Sequence, residues 1–181
     1  MHEAGFAFEV IAASVVEIAP GYFTAGEITL FNARAKAQAV ARLRPDAVVL
    51  GVDTLVAFEG EIFGKPSDLN AALAMLRRLN GRSHEVYSGV ALRHAAASRE
   101  NHFFEISRVM FRTLSEAQLR AYLERIGPLD KAGAYAAQDD SGELIARVEG
   151  SFTNVIGLPM EAVTRALAAF GISAAGAALA S

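Results

Sequence analysis

The chain has 181 residues, enough for one domain of ordinary size and too few for two large ones. Of these, 52% are hydrophobic and 20% charged, which supplies a full core and excludes a disordered chain. With 17 Lys and Arg scattered against 20 Asp and Glu there is no basic face to wrap a nucleic acid polymer, and the absence of cysteine removes disulfides, thiolate metal sites and a cysteine nucleophile while suiting a reducing cytoplasm.

The start, Met1-His2-Glu3-Ala4-Gly5-Phe6, has no basic residue ahead of an apolar run and does not read as an export signal. Phe8-Glu9-Val10-Ile11-Ala12-Ala13 has the content of a strand. Thr24 and Glu27 have capping-box spacing, and Ile28, Phe31, Ala35 and Ala39 follow at helical spacing until Pro45 ends the helix. Ala47-Val48-Val49-Leu50-Gly51-Val52 is a continuous apolar run, as in a strand buried on both faces, with Asp53-Thr54 at its carboxyl end. Residues 55–58 and 61–63 around Glu59-Gly60 predict a small hairpin. Ser67 predicts the cap of a helix over 68–79, with Leu69, Leu73, Leu76 and Leu79 on one face and a stop near Gly81.

Residues 86–92 and 103–111 read as strands; in the second, Ser107, Val109 and Phe111 alternate with Ile106, Arg108 and Met110. A capped helix over 115–125 closes at Gly127-Pro128, a glycine-containing loop fills 130–142, 144–148 predicts a strand and 159–170 the last helix. The Ala- and Gly-rich stretch 166–181 falls short of a membrane span and reads as a helix end with a frayed tail over 172–181. This order of elements predicts an α/β fold over 1–181, a mixed central sheet flanked by helices.

Gly60 and Gly64-Lys65-Pro66-Ser67 miss the phosphate-loop pattern, by one residue of spacing and by the proline, and read locally as a hairpin exit turn. His2, His84, His94 and His102 have no metal-ligand spacing and read as surface or loop residues, and no G-x-S-x-G elbow is present. Asp53, expected at a strand end where α/β sheets gather their ligands, reads either as a functional carboxylate or as an acid that hydrogen-bonds turn amides. Glu17, Lys36, Asp53 and Lys65, two acids and two bases in separate segments, read either as solvated charges or as groups that hold a metal-bound polyphosphate.

Several ordered motifs closely resemble the Maf family: Gly51-Val52-Asp53-Thr54; Gly64-Lys65-Pro66; Met75 to Gly81 with His84-Glu85-Val86-Tyr87-Ser88-Gly89-Val90; Asp130-Lys131-Ala132-Gly133-Ala134-Tyr135 with Gln138; and Glu149-Gly150-Ser151-Phe152-Thr153-Asn154-Val155-Ile156-Gly157-Leu158-Pro159. The resemblance implies the inosine-triphosphatase-like fold, a homodimer, and hydrolysis of a nucleoside triphosphate to its monophosphate and pyrophosphate with Mg²⁺ or Mn²⁺. It implies Asp53 as the proton acceptor and Glu17, Lys36, Thr54, Lys65 and Gln138 as substrate-binding residues; by the oxygen-donor chemistry of Mg²⁺, Asp53 with Glu17 is the expected metal-ligand pair. Lys131 to Tyr135 with Gln138 resemble the branch that acts on dTTP and UTP. Family members carry a strand and a Ser-x-x-Arg-Arg loop ahead of the segment matching Ala4-Gly5-Phe6, so the coding DNA is expected to continue upstream in frame with that motif. A non-catalytic nucleotide-binding or division-related relative is the second reading.

Overall fold

The computed structural model describes residues 1–175. Its longest helix, α1 (Ala25–Leu43), starts where the capping box places it: the Thr24 hydroxyl accepts from the Glu27 amide and the Glu27 carboxylate returns to the Thr24 amide. The face it buries is not the expected one. Ile28 is buried, but Phe31 is 49% exposed, and the buried stripe is Gly26, Thr29, Asn32, Ala33, Ala37, Val40 and Ala41. Small residues are selected there because the helix lies directly on backbone. A Cβ added at Gly51 would meet the Ala33 carbonyl oxygen at 2.4 Å, and one added at Gly89 would meet that of Thr29 at 2.3 Å.

The strands are β1 (Val48–Phe58), β2 (Glu61–Phe63), β3 (Ser83–His94), β4 (Arg99–Phe111) and β5 (Ile145–Glu149), in sheet order β2-β1-β3-β4-β5. The β1/β2 and β4/β5 ladders are antiparallel. Four further helices, α2 (Leu69–Leu79), α3 (Glu116–Ile126), α4 (Phe152–Ile156) and α5 (Met160–Ala169), complete the α/β fold, a sheet flanked by helices. The two apolar runs on either side of Asp53-Thr54 are one strand, so these residues sit in its middle and not at its carboxyl end. Burial alternates along it instead of covering both faces. Glu59 and Gly60, both at positive φ, make the two-residue turn into β2.

Other expectations need correction. Residues 8–13 form no strand; Phe8 and Val10 stay 42% and 82% exposed, because no neighbouring strand among the described residues offers a ladder. Asp68, not Ser67, caps α2, its carboxylate accepting from the Ala71 amide, and Leu69 points outward while Leu73, Leu76 and Leu79 are buried. His84 is a core residue, its Nε2 2.9 Å from the Tyr135 hydroxyl and its ring set edge-on against Phe111 and Tyr135.

The described residues divide into two compact units. The first holds residues 1–53, 89–104 and 158–175, with one apolar cluster built from Phe6, Val90, Leu92, Val163 and Leu167 and another from the small face of α1 with Val49 and Ala91. Here the Ala175 amide donates to the Gly5 carbonyl at 2.8 Å; the rest of the expected tail lies outside the described residues. The second unit, 54–88 and 105–157, buries the larger core. Val56, Phe63, Leu76, Val86, Val109, Phe111, Leu119 and Tyr122 fill it. Each such side chain removed from water stabilises by roughly 1.5–3 kcal/mol.

Candidate active site

The first unit contains a charge cluster that the chain's local pattern does not announce. From α1, Lys36 reaches out between two acids. Its ammonium donates to Asp53 Oδ1 at 2.7 Å and lies 2.8 Å from Glu17 Oε1, with the Val52 carbonyl at 3.3 Å. Asp53 is 7% exposed on β1, whereas Glu17, in the irregular segment before α1, is about half exposed. Burial alone would push the Lys36 ammonium down; its hydrogen bonds to Asp53 and Glu17, with their charges, outweigh this and hold it above its ordinary value. Lys36 is therefore a permanent cation with an acid on either side.

One residue here is missed by the sequence reading. Asn32, one turn before Lys36 on the same helical face, is 3% exposed. Its Nδ2 donates to Asp53 Oδ2 at 3.1 Å and to the Ile18 carbonyl at 3.1 Å, while its Oδ1 accepts from the Ile18 amide at 2.9 Å. An asparagine inside an apolar helical stripe, four residues before a lysine, is the one pattern that would have flagged it.

Among the described residues no group of three or more His, Asp or Glu is arranged to hold a metal ion. The Glu17 and Asp53 pair nonetheless fits Mg²⁺ or Mn²⁺ by the chemistry of its donors. Such ions take hard oxygen ligands and are commonly held by one or two carboxylates, with water and substrate phosphates completing the shell.

Thr54, Lys65 and Gln138 belong to the second unit. Successive side chains on a strand point to opposite faces, so Thr54 turns away from the side that Asp53 faces. Its hydroxyl is 2.8 Å from the Ser88 hydroxyl and 3.4 Å from the Gly157 carbonyl, and Ser88 donates in turn to the Asn154 carbonyl at 3.3 Å. Lys65 is exposed in the turn after β2, and Gln138 is exposed on a 3₁₀ turn. The Gly133 amide donates to the Gly64 carbonyl at 3.1 Å, tying the turn that carries Lys65 to the loop that leads to Gln138.

A family model described as "Maf-like protein" matches residues 1–170. A protein of Pelotomaculum thermopropionicum is 40% identical over 171 residues, which is 94% of this chain and 90% of that one. Another, of Salinibacter ruber, is 48% identical over 138 residues, 76% of this chain and 68% of its own length. A third, of Akkermansia muciniphila, is 39% identical over 174 residues, covering 96% and 91%. All three are named dTTP/UTP pyrophosphatase.

Proposed function

The chain belongs to the Maf family, and from that membership we propose that it is a nucleoside triphosphate pyrophosphatase that hydrolyses dTTP and UTP, residues 1–181 acting as one Maf-like domain. The observation that carries this reading is the Glu17, Lys36 and Asp53 cluster. A triphosphate brings several negative charges, which must be offset before water can approach phosphorus.

In this reading Lys36 supplies positive charge beside Asp53, and Lys65, Thr54 and Gln138 are proposed as substrate-binding residues on the strength of the family motifs they match. A divalent cation, when bound to Asp53 and Glu17, would supply further charge compensation. Asp53 accepts the proton of the attacking water through a carboxylate oxygen. The water oxygen bonds to the α-phosphorus, the bond from that phosphorus to the bridging oxygen breaks, and pyrophosphate leaves with the electron pair. Free nucleotide in the cytoplasm is the substrate, and the working form is a homodimer.

The test is pyrophosphate release from a panel of nucleoside triphosphates with Mg²⁺ or Mn²⁺. dTTP and UTP are expected to lead, and Asp53→Asn to lose ~10²–10⁴-fold, the usual contribution of a general base. Calorimetric binding of dTTP with no release from any nucleotide would replace this reading by the non-catalytic one.

A further inference from the structure

We infer that Asn32 is a positioning residue for the hydrolytic site, one amide that fixes both the rotation of the Asp53 carboxylate and the course of the segment carrying Glu17. The inference rests on the function proposed above.

Its hydrogen bonds fix one orientation of the amide. Oδ1 faces the Ile18 amide, a donor, while Nδ2 faces the Ile18 carbonyl and Asp53 Oδ2, both acceptors. Turning the amide over would set oxygen against two oxygens and nitrogen against N–H, so one orientation satisfies all three. Ile18 is held at both of its backbone groups and adjoins Glu17, whose carboxylate meets Lys36. Lys36 closes the circuit on Asp53 Oδ1. Two residues one helical turn apart on α1 thus grip both acids, Lys36 by charge and Asn32 by direction.

A buried amide is costly unless every bond is made, and an apolar residue would hold a helix against a loop at least as well. What an apolar residue cannot do is point a carboxylate. With Oδ2 on Asn32 and Oδ1 on Lys36, the plane of the Asp53 carboxylate is set by two donors from one rigid helix.

The experiment compares Asn32→Leu, which keeps the number and branching of heavy atoms and removes the polar ones, with Val40→Ala, a cavity in the same helix where it packs with Val49 and Ala91. Asn32→Leu is expected to lower kcat by ~10–100-fold, the usual cost of losing a group that orients an acting ligand, while KM changes by less than about threefold. Val40→Ala, with a comparable loss of melting temperature, is expected to keep kcat within about twofold of the parent. By amide exchange in NMR, Ile18 is expected to be as protected as the α1 amides in the parent and to exchange faster in Asn32→Leu.

A kcat for Asn32→Leu no lower than that of Val40→Ala, or an effect confined to KM, overturns the inference. If Asn32→Leu does not fold, the parent decides: an Ile18 amide exchanging like an exposed loop overturns it. If the parent releases no pyrophosphate, the proposed function fails, and the exchange measurement alone then judges the clamp.

Discussion

Gly51→Ala is the sharpest probe of how α1 is seated. The added Cβ would lie 2.4 Å from the Ala33 carbonyl oxygen, 2.7 Å from the Ala37 nitrogen and 2.9 Å from the Ala37 Cβ. Favourable carbon contacts begin near ~3.5 Å, so the helix must retreat by about 1 Å. Two of the three atoms are backbone and the third is a Cβ, so no change of rotamer relieves the clash. Overpacking a core costs ~1–3 kcal/mol, and contacts of this kind put the cost near ~3. In a chain of this size each kcal/mol moves the melting temperature by ~2–4 °C, so a loss of ~6–12 °C is expected by circular dichroism. Gly21→Ala, whose new Cβ would have no heavy atom within 4 Å, is the matched control and should lose nothing. Because Lys36 adjoins Ala37, the same retreat should also depress pyrophosphate release. A Gly51→Ala protein melting within about 2 °C of the parent would refute this account of the helix–strand contact.

Lys36→Met removes the cation shared by Glu17 and Asp53 and should lower kcat/KM for dTTP by ~10–100-fold, the value of a charge-assisted contact of ~1.5–3 kcal/mol; unchanged kinetics would remove Lys36 from the mechanism. Burial pushes the His84 imidazole down from 6.5 to about 4, so below pH 6.5 the unfolded chain takes up this proton first. The stability His84 contributes is therefore complete above that pH and lost toward about pH 4, by ~3 kcal/mol. Urea denaturation at about pH 7 and about pH 4.5 should show most of that loss in the parent and much less in His84→Gln; equal losses would contradict it. Thr24→Ala removes one half of a capping box and should cost ~1 kcal/mol, or ~2–4 °C of melting temperature, with no change in KM.

What could be read without the structure was whatever local chemistry decides. The Thr24 and Ser115 caps, the Glu59-Gly60 turn and the buried leucines of α2 depend on neighbours a few residues away, and the chain carries those signals openly. The buried face of α1 is not legible in the spacing of Ile28, Phe31, Ala35 and Ala39, because close approach to Gly51 and Gly89 selects the small and polar residues beside them. The segment 47–58 looked interrupted because an aspartate seldom sits in mid-strand. What makes it tolerable is Asn32 and Lys36, which come from α1 and are invisible to a reading of the strand. The burial of His84 is hidden for the same reason, its partners Phe111 and Tyr135 lying far along the chain. Glu17, Lys36 and Asp53 stand out by charge and take their roles from resemblance; that one ammonium touches both acids required coordinates.

The neighbours Asp53 and Thr54, set on opposite faces of β1, constrain how this protein can evolve. A strand advances ~3.4 Å per residue and alternates its faces, so one inserted or deleted residue between 48 and 58 would exchange the two environments. An uncharged hydroxyl would then face Lys36, and a carboxylate would face Ser88 and the Gly157 carbonyl. Two residues gained or lost would restore the faces but displace the acid by ~7 Å, beyond the reach of either α1 side chain. The hairpin pairs Val56 with Phe63 and Phe58 with Glu61 and so fixes the strand's phase from its far end. Descendants of this chain are thus free to vary outward-facing side chains along β1, while its length stays fixed; indels should accumulate in the loops around it instead.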